Sequence, residues 1–140
     1  MSNILIVIFT VAFLLAIVEI GLIFSSRKNN LKKKKSIDIV GLTQKINQLL
    51  VSDDLNLNKQ ALIEADKLLD NVLKQLINGK DMGERLKNAK SIMADDNLYH
   101  LVWEAHKLRN KVVHEVDYII DRKEIRNAVN NLKRAWKSIV

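Results

Sequence analysis

Residues 4–24 are 21 consecutive positions with a single ionisable side chain, Glu19, and no other stretch limits the architecture of this chain as strongly. A helix rises ~1.5 Å per residue, so the run covers ~30 Å, the hydrocarbon thickness of a bilayer. One transmembrane helix is the expected structure. A cleaved signal peptide fits less well, because Met1, Ser2 and Asn3 carry no positive side chain, the run is too long, and no small-x-small site precedes the following charges.

Arg27, Lys28, Lys32, Lys33, Lys34 and Lys35 follow the run. Positive charge beside a span is retained on the cytoplasmic side. The expected topology is a single pass through the plasma (inner) membrane, with the N-terminus outside and the C-terminal domain cytoplasmic. The absence of cysteine agrees with a reducing compartment. Glu19 sits five residues from the cytoplasmic end of the span, ~7 Å below the interface on a helix. At that depth a carboxylate is tolerated, with helix pairing the alternative use.

The net charge of +7 suggests nucleic acid until it is partitioned. Six positive side chains lie in residues 27–35, and residues 36–140 hold 17 basic against 15 acidic side chains. The basic cluster is therefore explained by topology and by attraction to anionic lipid headgroups, at ~1 kcal/mol per Lys or Arg near the surface.

The chain divides into an anchor at 1–26, a basic juxtamembrane linker at 27–41 and a domain at 42–140. There is no proline, and apolar residues recur at three-and-four spacing without strand-like alternation. The domain is expected to be all-α, an up-and-down bundle of four or five helices. A first helix is expected over 42–51, with Asp53 and Asp54 closing it. A second should start near Asn58, bury Leu62, Ala65, Leu69, Val72, Leu73 and Leu76, and stop at Gly79. Asp81 and Glu84 have capping-box spacing and introduce a short helix through Met93. Asp95, Asp96 and Asn97 cap a third long helix with Leu98, Leu101, Val102, Ala105, Leu108 and Val112 inward. Asp121 and Glu124 repeat the capping box before a last helix that buries Ile125, Ala128, Val129, Leu132, Ala135, Trp136 and Ile139.

Chemistry concentrates on the third long helix, where Arg109, Asn110 and His114 stand close together. Asn110 and His114, four apart, share a face with His106, whereas Arg109 and His114, five apart, diverge by ~140° on a straight helix. Convergence on one atom requires either a loosened helix end or a second subunit. The pattern Arg109-Asn110-x-x-x-His114, late in a helical domain, resembles the motif of HEPN domains. That resemblance covers roughly residues 40–140 and implies an RNA-binding homodimer, the motifs of two subunits lining one cleft; several members of the family are metal-independent endoribonucleases, and others bind without cutting. It implies His114 as general base or acid at the ribose 2′-hydroxyl and Arg109 as a clamp on the scissile phosphate, with Asn110 and His106 in support. The tyrosine that toxin members carry two residues after the histidine is replaced by Val116, with Tyr118 two positions later.

Other readings of the same residues stand beside this one. The group can be a polar helix end, with Arg109 paired to Glu104, Asp117 or Asp121. The domain can equally be a non-catalytic, membrane-tethered scaffold that binds a protein partner. No cofactor is called for, and no metal site is expected, because His100, His106 and His114 are six and eight apart and cysteine is missing. Trp103 and Trp136 lie at core spacing, which favours packing over base stacking. Arg126, Lys133 and Lys137 form a stripe on the last helix that could track a phosphate backbone, a solvated charged face being the commoner meaning.

Overall fold

A 22-residue helix with two adjacent buried rows organises the bundle. The structure is a computed structural model that describes residues 37–139. The apolar run 4–24, Glu19 and the basic cluster lie outside the described residues. Among the described residues no helix is long and apolar enough to cross a membrane, and there is no strand.

Five α-helices follow in order: α1 (Ile39–Val51), α2 (Leu55–Leu76), α3 (Met82–Asn88), α4 (Asp96–His114) and α5 (Arg122–Ile139), with a 3-10 turn at Lys90–Ile92 between α3 and α4. On α2 one row runs through Ala61, Ala65, Leu68 and Val72, and the next through Leu62, Asp66, Leu69 and Leu73, all buried. Two neighbouring rows make an apolar stripe too wide for a single partner. Helix α2 accordingly packs against α1, α3, α4 and α5, and α4 also packs against α5. The core between them is closed by Ile46, Leu86, Val102, Ile125, Val129, Leu132 and Trp136, each at most 1 % exposed. Each such aliphatic side chain contributes ~1.5–3 kcal/mol by leaving water.

Local signals set most of the boundaries. Asp81 accepts from Glu84 N at 2.8 Å, while the Glu84 carboxylate accepts from Lys80 N at 2.7 Å. The box therefore closes one residue earlier than the usual reciprocal pair. Asp95 accepts from Leu98 N at 2.6 Å, and Asp121 accepts from Glu124 N at 2.7 Å.

Four boundaries differ from the sequence expectation, the first being the short helix expected through Met93, which ends at Asn88 and passes into the 3-10 turn Lys90–Ile92. Helix α1 starts at Ile39, within the stretch read as linker, because Asp38 accepts from Gly41 N at 2.8 Å and caps it there. Asp54 does not close α1; its side chain accepts from Asn56 N at 2.8 Å and opens α2. The closing contacts on α1 come instead from Asn58, whose Nδ2 donates to Leu49 O at 3.0 Å and Ser52 O at 2.9 Å. Helix α2 ends at Leu76, with Ile77 rather than glycine at its cap. Gly79 is needed for close approach, since a Cβ there would lie 2.7 Å from Arg85 Cγ and 2.8 Å from Arg85 N.

Candidate functional site

The stripe of α4 that faces α2 carries Val102 and, one turn later, His106. Both are buried. Asp66 occupies the buried row of α2, so packing α4 on α2 brings a carboxylate and an imidazole together at a dry interface. His106 Nδ1 lies 2.9 Å from Asp66 Oδ1, with 11 % and 4 % of the two side chains exposed. Asn110 Nδ2 lies 3.3 Å from His106 Nε2, and Arg109 Nη1 donates to Asn110 Oδ1 at 3.0 Å. Arg109 Nε stands 3.5 Å from Asp66 Oδ2, at ion-pair distance but without a hydrogen bond.

These four side chains close a ring, and the ring dictates proton positions. A carboxylate only accepts, so His106 donates from Nδ1 and its Nε2 is free to accept from Asn110 Nδ2. The Asn110 carbonyl oxygen then faces Arg109. A second proton on His106 would turn Nε2 into a donor aimed at an amide NH2, and flipping that amide would break the bond from Arg109. Trp103 covers the imidazole edge-on, with ring centroids 6.1 Å apart.

The ring uses Arg109 Nη1 and faces Nε toward Asp66, which leaves Nη2 outside it. The guanidinium is thereby fixed in orientation while 28 % of the side chain stays exposed. Such a group matches a bidentate or single-point contact to phosphate or carboxylate oxygens.

His114 is placed differently. It is exposed on the last turn of α4, and the chain leaves the helix at Glu115. Helix α4 is continuous through Asp96–His114, so the loosening that would help His114 meet Arg109 begins only after the histidine. The histidine that Asn110 orients is His106. No hydrogen bond joins His114 to Arg109 or Asn110 among the described residues.

The expected partners of Arg109 in a purely structural reading are corrected as well. Glu104 pairs with Lys107 at 2.8 Å, Asp121 caps α5, and the acid beside Arg109 is Asp66. The hydrogen bond from Lys107, and then its charge, hold the Glu104 carboxyl below the usual carboxylate range. Asp66 escapes a motif search because it lies 40 residues from His106. Its signal is positional: an acid four residues after Leu62 and three before Leu69 sits on a core stripe, where an unpaired charge is not tolerated.

The two tryptophans separate. Trp136 is fully buried and packs the core, whereas Trp103 is half-buried between Tyr99 and His106. Tyr118 lies under the Lys111 ammonium, 5.6 Å from ring centre to nitrogen. Beyond His114 the connection to α5 exposes Val116 and Ile119 almost completely. No protein-family model, curated protein or solved structure matches the chain.

Proposed function

We propose that this protein is a membrane-anchored, HEPN-like RNA-binding protein whose cytoplasmic bundle cleaves RNA without metal as a homodimer. The supporting observation is the oriented Arg109 guanidinium, held by Asn110 and Asp66 on one side and exposed on the other, five residues before an exposed histidine. Arg109 binds the scissile phosphate and offsets charge developing on its oxygens. His114 removes the proton from the ribose 2′-hydroxyl, whose oxygen attacks phosphorus. The P–O5′ bond breaks, and the leaving oxygen takes a proton from water, giving a 2′,3′-cyclic phosphate and a 5′-hydroxyl, with the Arg109 and the His114 at one phosphate supplied by different subunits. A continuous α4 keeps Arg109 and His114 of one chain on diverging faces, which is why the reading requires two subunits.

Purified full chain in non-ionic detergent with excess chelator should cleave a mixed-sequence RNA to cyclic-phosphate ends. Arg109→Ala and His114→Ala should each lower the rate by ~10²-fold or more. RNA left intact with and without chelator, or cleavage unchanged in both variants, ends the nuclease reading.

Exposed Val113, Val116 and Ile119, at 44 %, 99 % and 93 %, favour a second reading, a non-catalytic scaffold that docks a protein partner beside α4. It predicts a saturable protein ligand that is lost in Val116→Asp and unaffected by Arg109→Ala.

A further inference from the structure

Charge is not spread evenly over the bundle. Helix α1 has no acid and a single cation, Lys45, which pairs with Glu64 of α2 at 3.4 Å, whereas residues 125–139 of α5 carry Arg126, Lys133, Arg134 and Lys137 and no acid. Elsewhere in the domain acids outnumber bases. The near-neutral total therefore conceals a basic stripe along α5, formed by Arg126, Lys133 and Lys137.

Between the end of α1 and the middle of α5 runs a groove of about 370 Å³ lined by Asn47, Leu50, Val51, Arg126, Asn130 and Lys133. No carboxylate lines it. Asp53, two residues beyond Val51 in the chain, is engaged by Arg122 at 2.7 Å. Lys133 Nζ donates to Asn47 Oδ1 at 2.7 Å and has no acidic partner among the described residues. That bond leaves the Asn47 amide nitrogen free as a donor. Burial, and then Lys137, hold the Lys133 ammonium below the usual lysine range, and an anion seated beside it would favour the charged form by direct attraction.

We infer that the α1–α5 groove is a binding site for the phosphodiester backbone of single-stranded RNA, distinct from the Arg109 and His114 end of α4. Arg126 and Lys137 are eleven positions apart on one helix, ~16 Å, with Asn130 and Lys133 between them, so cations and an amide donor succeed one another along the track. An open groove with Leu50 and Val51 along one edge and cations along the other fits an extended strand, phosphates toward the cations and base faces toward the apolar edge. The inference rests on the RNA reading above and adds a second contact that would hold the strand while its cleavage point lies elsewhere.

The test is fluorescence anisotropy of the full chain in non-ionic detergent with a labelled 2′-O-methyl oligouridylate, which cannot be cleaved. The triple variant Arg126→Gln, Lys133→Gln, Lys137→Gln should bind at least tenfold more weakly. Its slope of log affinity against log salt should shrink by about 2, at ~0.7 per lost phosphate contact. Because Lys133→Gln also disturbs Asn47, the pair Arg126→Gln, Lys137→Gln, both exposed, is measured beside it and should lose about fivefold. Unchanged RNA affinity in both variants overturns the proposal, including the case in which they instead lose binding to short-chain phosphatidylglycerol, which assigns the groove to lipid headgroups. If Arg109→Gln weakens binding while the groove variants do not, the groove falls and the proposed function stands. A wild type that binds no RNA removes both.

Discussion

His106 Nδ1 and Asp66 Oδ1 meet at 2.9 Å across the α2–α4 contact, and both side chains are buried. Buried charge is costly to desolvate and more costly to leave alone. The pair persists because Asn110 and Arg109 complete its hydrogen bonding and charge, so the α4 end is held as one polar unit in an apolar contact.

Removing one member should therefore be expensive. Asp66→Ala is expected to cost about 3–5 kcal/mol in urea unfolding. Asp66→Ala with His106→Ala should cost less than the sum of the single changes, with a coupling of ~1 kcal/mol or more. Strict additivity in that double-mutant cycle would show that the ring is not an energetic unit.

Arg85 offers a second buried test. Its Nε donates to Asp70 Oδ1 at 2.7 Å and its Nη1 to Gly79 O at 2.6 Å, with 6 % of the side chain exposed. A lysine has no fork to make both contacts at once. Arg85→Lys should lose about 2 kcal/mol and Arg85→Ala about 3 kcal/mol by the same measurement. Gly79→Ala should cost about 1–3 kcal/mol, because its Cβ meets Arg85 backbone.

Asn58 distinguishes donor from acceptor. Asn58→Ala should lose about 1–3 kcal/mol by orphaning two carbonyls at the end of α1. Asn58→Asp should lose more near neutral pH, since a carboxylate faces those oxygens with no proton to give. Equal stability of the two variants would mean that the amide donor is dispensable.

The Glu104–Lys107 pair makes a pH prediction. Folding lowers the Glu104 pKa, chiefly through the Lys107 hydrogen bond. The folded chain thus binds this proton less readily than the unfolded chain, so the pair's contribution is complete above the unfolded carboxylate value and fades as pH falls through the lowered one. Carboxyl-carbon NMR of Lys107→Ala should show Glu104 titrating at higher pH than in wild type.

His114 should be silent in folding. It is exposed and makes no hydrogen bond among the described residues, so His114→Ala should shift stability by less than about 0.5 kcal/mol. Circular dichroism and urea midpoints matching wild type would let any loss of RNA cleavage be assigned to the imidazole itself.

The helices and their caps were legible before any coordinates. Asp81, Asp95 and Asp121 each bind a backbone N–H within three residues, and such contacts depend only on local chain geometry. The buried faces of α2, α4 and α5 follow from spacing for the same reason, except at the end of α2, where Leu76, expected to turn inward, is 56 % exposed. Where two neighbouring segments compete for one residue, local reading fails. Asp54 lies between α1 and α2 and serves the second, because Asn58 already satisfies the end of the first.

Sequence alone determined which residues form helices, where most helices begin and which stripes turn inward, since these are set by backbone geometry within one or two turns. Tertiary structure alone decided that Asp66 belongs with His106 and Arg109, that Arg85 reaches Asp70 and Gly79, and that α1 walls the basic stripe of α5. Those pairings depend on the register of one helix against another, which emerges from packing the whole core and leaves no mark at any fixed sequence spacing.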